Sequence, residues 1–289
     1  MSLPEFIYTR LLKPAPLRKL ANATLRALIP SELHFGASVV VPNPRDPVVS
    51  GALTLRVYER PETRFFRSVC RPGQTFVDIG ANVGYYTALA IPALGPTGRI
   101  VAFEPDPETF SFLKRTIAAN TGAPVTTIQR AASDRRGSAT LFISRDNRGD
   151  NRLYDNDLAC ESIAIETVPA DDALDELGIT SVDLIKIDVQ GYEAAVYRGL
   201  ERTLRTSAGV IMLSEFWPDG LSRAGSEPPK VLAYLADMGL KLHELLPTGK
   251  VCALGDYAAF IARFPGRRYT NIVAARAGVL PTGLVIGRR

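Results

Sequence analysis

The sequence predicts an α/β domain with a mostly parallel sheet covered by helices. Three observations carry that prediction. The stretch Phe76-Val77-Asp78-Ile79-Gly80-Ala81-Asn82-Val83-Gly84 passes from apolar residues into an acid, a glycine turn and a helical pattern. That order describes a buried strand, a tight turn and a helix whose N-terminus faces a ligand. A second strand pattern closes on an acid at Val101-Ala102-Phe103-Glu104-Pro105. Strand and helix patterns then alternate along the chain, the arrangement that builds a parallel sheet.

The elements follow in order. Residues 36–60 read as short strands with turns: a strand over 37–41, a turn over 43–47 and a strand over 52–57. A helix over 61–71 stops at Pro72-Gly73. The strand at 75–79 leads to a helix at 83–93, and the strand at 99–104 to a helix at 107–120. Asp106 is expected to cap that second helix, because Pro107 suits the first helical position. A strand over 125–131 follows, and the alternation at 138–145 and 161–168 predicts a hairpin. The polar loop between these, around Asp146, Asn147, Arg148 and Gly149, is either a substrate-facing loop or a mobile tip. Next come a short helix at 170–177 and a strand at 182–189, whose Leu184, Ile185 and Ile187 suit burial on both faces. A helix at 192–205, a strand at 209–215, a helix at 228–238 and two late strands complete the pattern. The chain divides into an extension, 1–71, and a main domain, 72–289.

Composition narrows the function classes. The chain is 46% hydrophobic and 22% charged, as in soluble globular proteins. Its net charge of +4 provides no electrostatic footprint for nucleic acid, and no such partner is expected. Cys70, Cys160 and Cys252 lack metal-ligand spacing, which favours a reducing compartment. No apolar run approaches the roughly 20 residues that span a bilayer, and the N-terminus does not read as a secretory signal. The expected location is the cytoplasm. Residues 5–30 interleave Arg10, Lys13, Arg18, Lys19 and Arg26 with leucines. This segment reads either as a basic amphipathic surface for a membrane or anionic glycolipid, or as a helical extension packed on the domain.

The turn chemistry selects among nucleotide-like ligands. A dinucleotide needs bare glycine backbone against its pyrophosphate. Here only Gly80 and Gly84 are glycine, Asn82 lies between them, and Asp78 precedes the turn. A carboxylate there repels pyrophosphate but suits the ammonium of a methionine moiety. Glu104 falls where an acid accepts both hydroxyls of a ribose. The expected cofactor is therefore S-adenosylmethionine.

A second constellation lies downstream. Asp188 ends the strand at 182–189, and Glu215 ends the next. Carboxyl ends of adjacent strands face the ligand crevice, so both acids are expected near a transferred methyl. For an alcohol acceptor, a carboxylate serves as base, or the two acids hold a divalent metal that acidifies the hydroxyl. Structural readings stand beside these: a helix cap for Asp188, an arginine partner for Glu215 and a dipole contact for Glu193. His243, on a late strand, is either a base reaching the crevice or a structural histidine. Lys186 reads as a strand residue paired with an acid. Trp217 reads as an acceptor contact or as core.

These residues resemble the FkbM family of S-adenosylmethionine-dependent methyltransferases. The resemblance rests on 76–87, 101–107, Ala131-Ala132-Ser133-Asp134, 183–193 and 213–216, with a lead-in over 43–66. It spans residues 40–275. It implies a class I methyltransferase Rossmann-like fold, with a seven-stranded sheet whose last strand is antiparallel. It also implies O-methylation of a sugar, glycan, glycolipid or polyketide-type product. By position it implies that Asp78, Gly80, Asn82 and Gly84 line the methionine end and that Glu104 holds the ribose. Ala132 and Ser133 would approach the adenine, with Asp188 beside the methyl. One departure is Gln190, where the family commonly has Glu, and this weakens the case for a metal.

Overall fold

The computed structural model describes residues 28–144, 147–154 and 159–287. The basic segment at 5–30 lies almost entirely outside the described residues, as does Asp146. A hairpin, β1 (Leu33–Phe35) and β2 (Ser38–Val40), opens the described chain. Helix α1 (Pro47–Thr54) follows, and it overturns the strand expected at 52–57. The local chemistry explains this. The Asp46 side chain accepts from the backbone N–H groups of Val48 and Val49, and Pro47 begins the helix. Helix α2 (Arg60–Val69) then leads into the main alternation.

That alternation runs β3 (Thr75–Ile79), α3 (Tyr85–Leu94), β4 (Arg99–Phe103), α4 (Pro107–Ala118) and β5 (Val125–Ile128). A second sheet interrupts it, with strands β6 (Ala131–Ser133), β7 (Gly137–Ser144) and β8 (Ala159–Pro169). β7 and β8 form the expected hairpin. The strand expected over 125–131 is split, because β6 leaves the main sheet to pair with β8. Then come α5 (Ala170–Glu176), β9 (Leu184–Ile187), α6 (Glu193–Gly199), α7 (Glu201–Thr206) and β10 (Ile211–Phe216). The single helix expected at 192–205 is broken at Leu200. The chain continues through α8 (Pro218–Arg223), α9 (Pro228–Asp237), β11 (Lys241–Leu245) and β12 (Val251–Ala253). It closes with α10 (Tyr257–Ile261), β13 (Thr270–Ala275) and β14 (Val285–Ile286).

The main sheet has the order β5-β4-β3-β9-β10-β13-β11-β12-β14. From β5 to β10 all neighbours are parallel, and β13 runs antiparallel between β10 and β11. The expected seven-stranded class I sheet is therefore present, and short β12 and β14 extend it. The chain winds outward from β3 to β5, then returns to place β9 on the other side of β3. The order thus reverses between β3 and β9, and ligand crevices open at such a point, at the carboxyl ends of the strands.

Strand periodicity assigns the two faces. Val77, Ile79, Ile185, Ile187 and Met212 pack into one core cluster. Phe76, Leu184, Ile211 and Leu213 pack into another, with Phe65 and Phe66 of α2. Leu33, Val40 and Leu53 belong to that same cluster, so the described part of the extension shares the core of the main domain. By the same parity, Asp78, Lys186 and Glu215 lie on the α2 side. No helix of the described residues is long and apolar enough to cross a membrane.

Helix α6 approaches the second sheet closely. A Cβ on Gly199 would stand 1.8 Å from the Ser133 carbonyl oxygen and 3.3 Å from Pro169 Cα. Backbone at that distance cannot yield cheaply. Gly199→Ala is expected to destabilise the fold by about 1–3 kcal/mol, read as a lower urea midpoint. An unchanged midpoint would show that this contact is not tight.

Candidate functional site

The glycine turn after β3 is built around a close approach. Gly80 has φ +77°, and a Cβ there would lie 2.0 Å from the Asp188 carbonyl oxygen. Only glycine satisfies both the backbone and the space. Asn82 also has positive φ, 52°, and its side chain accepts from the Val83 N–H at 2.7 Å. That local bond suits asparagine to the left-handed conformation. Gly84, at φ +85°, starts α3 and faces Leu113 of α4, where a Cβ would come within 2.7 Å.

A cleft of about 710 Å³ lies along these strand ends. Gly80, Asn82, Glu104, Ala132 and Asp188 all line it. Glu104 is 7% exposed, and its two carboxylate oxygens accept from the N–H groups of Asn82 and Asp106, each at 2.9 Å. Burial pushes its pKa up to about 8, against the pull of those bonds. Ile79, Phe103, Leu141 and Leu153 give the cleft apolar walls. A fixed carboxyl between apolar walls fits a ribose diol beside a flat base. The residues present therefore fit an adenosyl group.

A second cleft, about 1270 Å³, adjoins the first. Tyr58, Gly149, Asp188 and Gln190 line both. Glu59, Arg152, Glu215, Trp217, Arg267 and Tyr269 wall the second alone. Trp217 is buried yet lines this cleft, with the Arg152 guanidinium 4.5 Å from its ring centroid. The loop read as substrate-facing or mobile contributes Arg148 and Asn151 to the first cleft and Asn147 and Asp150 to the second. It is tied down: Arg148 bonds Glu108 at 2.8 Å and pairs with Asp106, and the Gly149 N–H reaches Asp46 at 3.3 Å.

Asp188 and Glu215 come together through an amide. Gln190 Nε2 donates to Asp188 Oδ1 at 2.7 Å and lies 3.3 Å from Glu215 Oε1. Burial, then the Asp188 charge, raises the Glu215 pKa well above the carboxylate range. Glu193 holds the turn from behind, its Oε1 accepting from the Val189 and Gly191 N–H groups. Among the described residues, no group of three or more His, Cys, Asp or Glu is arranged to hold a metal ion. The Gln190 donor stands between the two acids where a cation would have to sit. The donor set does not fit a metal.

Beneath the clefts lies a polar cluster. Lys186 is 3% exposed, 3.7 Å from Asp188 Oδ2 and 3.9 Å from Glu59 Oε2. Burial works against its charge, but Glu59, Asp188, Glu215 and Asp78 more than offset this and raise its pKa. Tyr86 donates to Glu59 at 2.6 Å, and Asn271 donates to Glu62 at 2.8 Å. Asp78 is 1% exposed and accepts from Thr87 at 2.6 Å. It lines a smaller cavity with Lys186, adjacent to the turn, and does not line either main cleft. Ser133, Gly84 and His243 also do not line them. Ser133 sits 3.3 Å from the Tyr192 hydroxyl. His243 is 3.1 Å from the Lys241 carbonyl of its own strand, and burial lowers its pKa. Asp106 caps α4 as expected.

Sequence reasoning missed Tyr58, Glu59 and Glu62, and gave Lys186 no role. Lys186 carried one signal: a charge in an otherwise aliphatic strand, Leu184-Ile185-Lys186-Ile187. Such a charge stays buried only when paired.

The acids set a pH dependence. Burial raises Asp78 to about 6, Glu62 and Glu193 to about 7, and Glu104 to about 8. The folded protein therefore keeps protons that the unfolded chain releases near pH 4. As pH rises from there through the folded values, the folded state loses stability. The ligand-free protein should melt at a higher temperature at pH 6 than at pH 8. Glu104→Gln should shrink the corresponding difference in stability by an amount on the order of 1 kcal/mol, bringing the two melting temperatures closer. Melting curves at both pH values test this, and parallel shifts in the two proteins would refute it.

The family model described as Methyltransferase FkbM domain matches residues 78–242, more than half of the chain. Methyltransferase sdnD of Sordaria araneosa is 24% identical over 196 residues, covering 57% of this chain and 73% of that protein. The 2-O-methyltransferase NoeI of Sinorhizobium fredii (strain NBRC 101917 / NGR234) is 30% identical over 150 residues, covering 46% of this chain and 60% of that protein. Among solved structures, the precorrin-6y C5,15-methyltransferase of Geobacter metallireducens GS-15 aligns at TM-score 0.42 and 16% identity, covering 77% of this chain and 89% of that one. The chain belongs to the FkbM methyltransferase domain family and is an S-adenosylmethionine-dependent methyltransferase.

Proposed function

We propose that this protein methylates a hydroxyl of a sugar, glycan, glycolipid or polyketide-type product. The observation that carries the reading is the meeting of two clefts at Asp188 and Gln190. One cleft fits the adenosyl cofactor, and the other is open to a second molecule. In this reading Gly80, Asn82, Glu104 and Ala132 hold the cofactor, and Asp78 supports the methionine end from beneath the turn. The cofactor supplies an electrophilic methyl group on a sulfonium. Because that transfer is strongly downhill, the protein's task is alignment.

A hydroxyl nucleophile must also lose its proton. Asp188 is the base in this proposal, at the junction of the clefts, with Gln190 fixing Oδ1 and Lys186 facing Oδ2. Glu215, on the other side of the Gln190 amide, positions that amide and the acceptor hydroxyl. Tyr58, Trp217 and Tyr269 offer aromatic faces for a sugar ring. The 2-O-methyltransferase name of one relative supports a hydroxyl acceptor.

Two measurements test the reading. A labelled methyl from S-adenosylmethionine, given to fractionated extracts of the source cell, should enter a carbohydrate, glycolipid or small-molecule fraction. Label confined to protein or nucleic acid would overturn the acceptor class. Glu104→Ala should weaken S-adenosylhomocysteine binding at least about tenfold, since the hydrogen bonds to the ribose hydroxyls are lost. Asp188→Asn should instead lower kcat by about 10²-fold or more while cofactor affinity changes little. Calorimetry and initial rates separate the two, and the roles fail if Asp188→Asn turns over normally.

A further inference from the structure

Helix α2 sorts its charges in an unusual way. Its acids turn inward: Glu62 reaches Asn271, and Glu59, just before the helix, reaches Tyr86 and Lys186. Its arginines turn outward. Arg60, Arg64 and Arg67 stand at i, i+4 and i+7, so they share one helical face, and all three are exposed. Arg56 joins them from the turn before the helix. Like charges at this spacing cost a helix about 0.2–0.5 kcal/mol per pair. No carboxylate of a described residue pairs with any of the four. Arg130, Arg136, Arg198, Arg205 and Arg263, also on the surface, each reach one.

The four arginines are not simply a solvated face. They wall a cleft of about 700 Å³. Its floor is aromatic: Phe35 and Tyr58 each pack edge-on against Tyr85, with centroids 5.1 and 5.3 Å away. Protein groups hold three of the guanidinium groups. Arg64 donates to the Pro247 and Thr248 carbonyls at 3.2 and 2.8 Å, and Arg67 to the Phe35 carbonyl at 3.4 Å. Arg56 lies 4.0 Å from the Phe35 ring centroid, on backbone with φ 59°. Neutral carbonyls and a ring orient these groups, and no carboxylate among the described residues neutralises them. Tyr58 walls this cleft and also the acceptor cleft, so the two adjoin at its side chain.

Guanidinium forks match the tetrahedral oxygens of phosphate. We propose that the arginine cleft binds a phosphate or diphosphate ester carried by the acceptor. The methylated hydroxyl then belongs to a phosphorylated sugar or similar anionic molecule, whose charged end seats on α2 while its hydroxyl lies by Asp188. This inference rests on the O-methyltransferase reading for the acceptor's place, but not for the anion site itself.

The first test titrates inorganic pyrophosphate into the whole protein by calorimetry, with no methyl transfer involved. Wild type should bind, more weakly as salt rises. The double variant Arg60→Ser, Arg67→Ser should lose at least about tenfold in affinity while still binding S-adenosylhomocysteine as wild type does, which confirms its fold. Absence of binding to wild type, or equal binding by both proteins, overturns the anion site. The second test treats the extract with phosphatase before the labelled-methyl assay. Loss of acceptor labelling supports a phosphorylated acceptor, and undiminished labelling overturns that part while leaving O-methylation standing. Sedimentation with phosphatidylcholine vesicles containing phosphatidylglycerol addresses the other source of such anions. Vesicle binding that needs Arg60 and Arg67, without pyrophosphate binding, would assign the patch to a membrane surface and refute the proposal.

Discussion

The arrangement depends on one buried cation. Lys186 occupies the middle of the sheet, where β9 lies between β3 and β10, and its ammonium faces carboxylates from four segments. Asp78 comes from β3, Asp188 from the end of β9, Glu215 from β10 and Glu59 from the turn before α2. Without the ammonium these acids would repel one another in a low-dielectric space, and each would pay its desolvation alone. With it, the carboxyl ends of three strands and the entry to α2 are drawn to one point. The Tyr86 ring, 5.3 Å from the ammonium, adds a further favourable face. The clefts open directly above this point, so the electrostatics that hold the sheet to α2 also set the charge state at the junction.

Much of this was legible in the sequence, and the reason is locality. Gly80, Asn82, Glu104, Asp188 and Glu215 each sit at a strand end, and strand ends of a parallel sheet converge by topology. A strand pattern that closes on an acid therefore reports position in space. The alternation also revealed the parallel strands, because strands buried on both faces are aliphatic runs. Position alone does not say where a side chain points, however. Asp78 follows the parity of its strand onto the α2 side, where it meets Thr87 beneath the turn. Ser133 faces Tyr192, while its neighbour Ala132 lines the cleft.

What stayed hidden was contributed at long range. Glu59, Glu62 and Tyr58 sit in a lead-in with no strand-end signature, and only the packing of Phe65 and Phe66 against the sheet brings them to Lys186 and the clefts. The alternation Leu53-Thr54-Leu55-Arg56-Val57 resembles a strand, but Asp46 and Pro47 start a helix first and carry it through Thr54. The Asp46 cap satisfies the Val48 and Val49 N–H groups that the first turn of the helix leaves open. β12 and β14 were too short for any periodicity to show.

Gln190 ties these levels together. The family commonly has a glutamate there. In this fold a glutamate would add a third carboxyl within reach of Asp188 and Glu215, in a site already crowded with acids. The amide instead donates toward both. Its backbone has φ 53°, a conformation that costs a residue with a side chain. The cost is met by the turn around it. Glu193 accepts from the N–H groups on either side, and the Tyr154 hydroxyl donates to the Gln190 carbonyl at 3.0 Å. A strained residue whose turn is fixed by three hydrogen bonds, two to Glu193 and one from Tyr154, thus lies at the junction of the two clefts. It holds one oxygen of Asp188, while the other oxygen of that carboxylate faces Lys186.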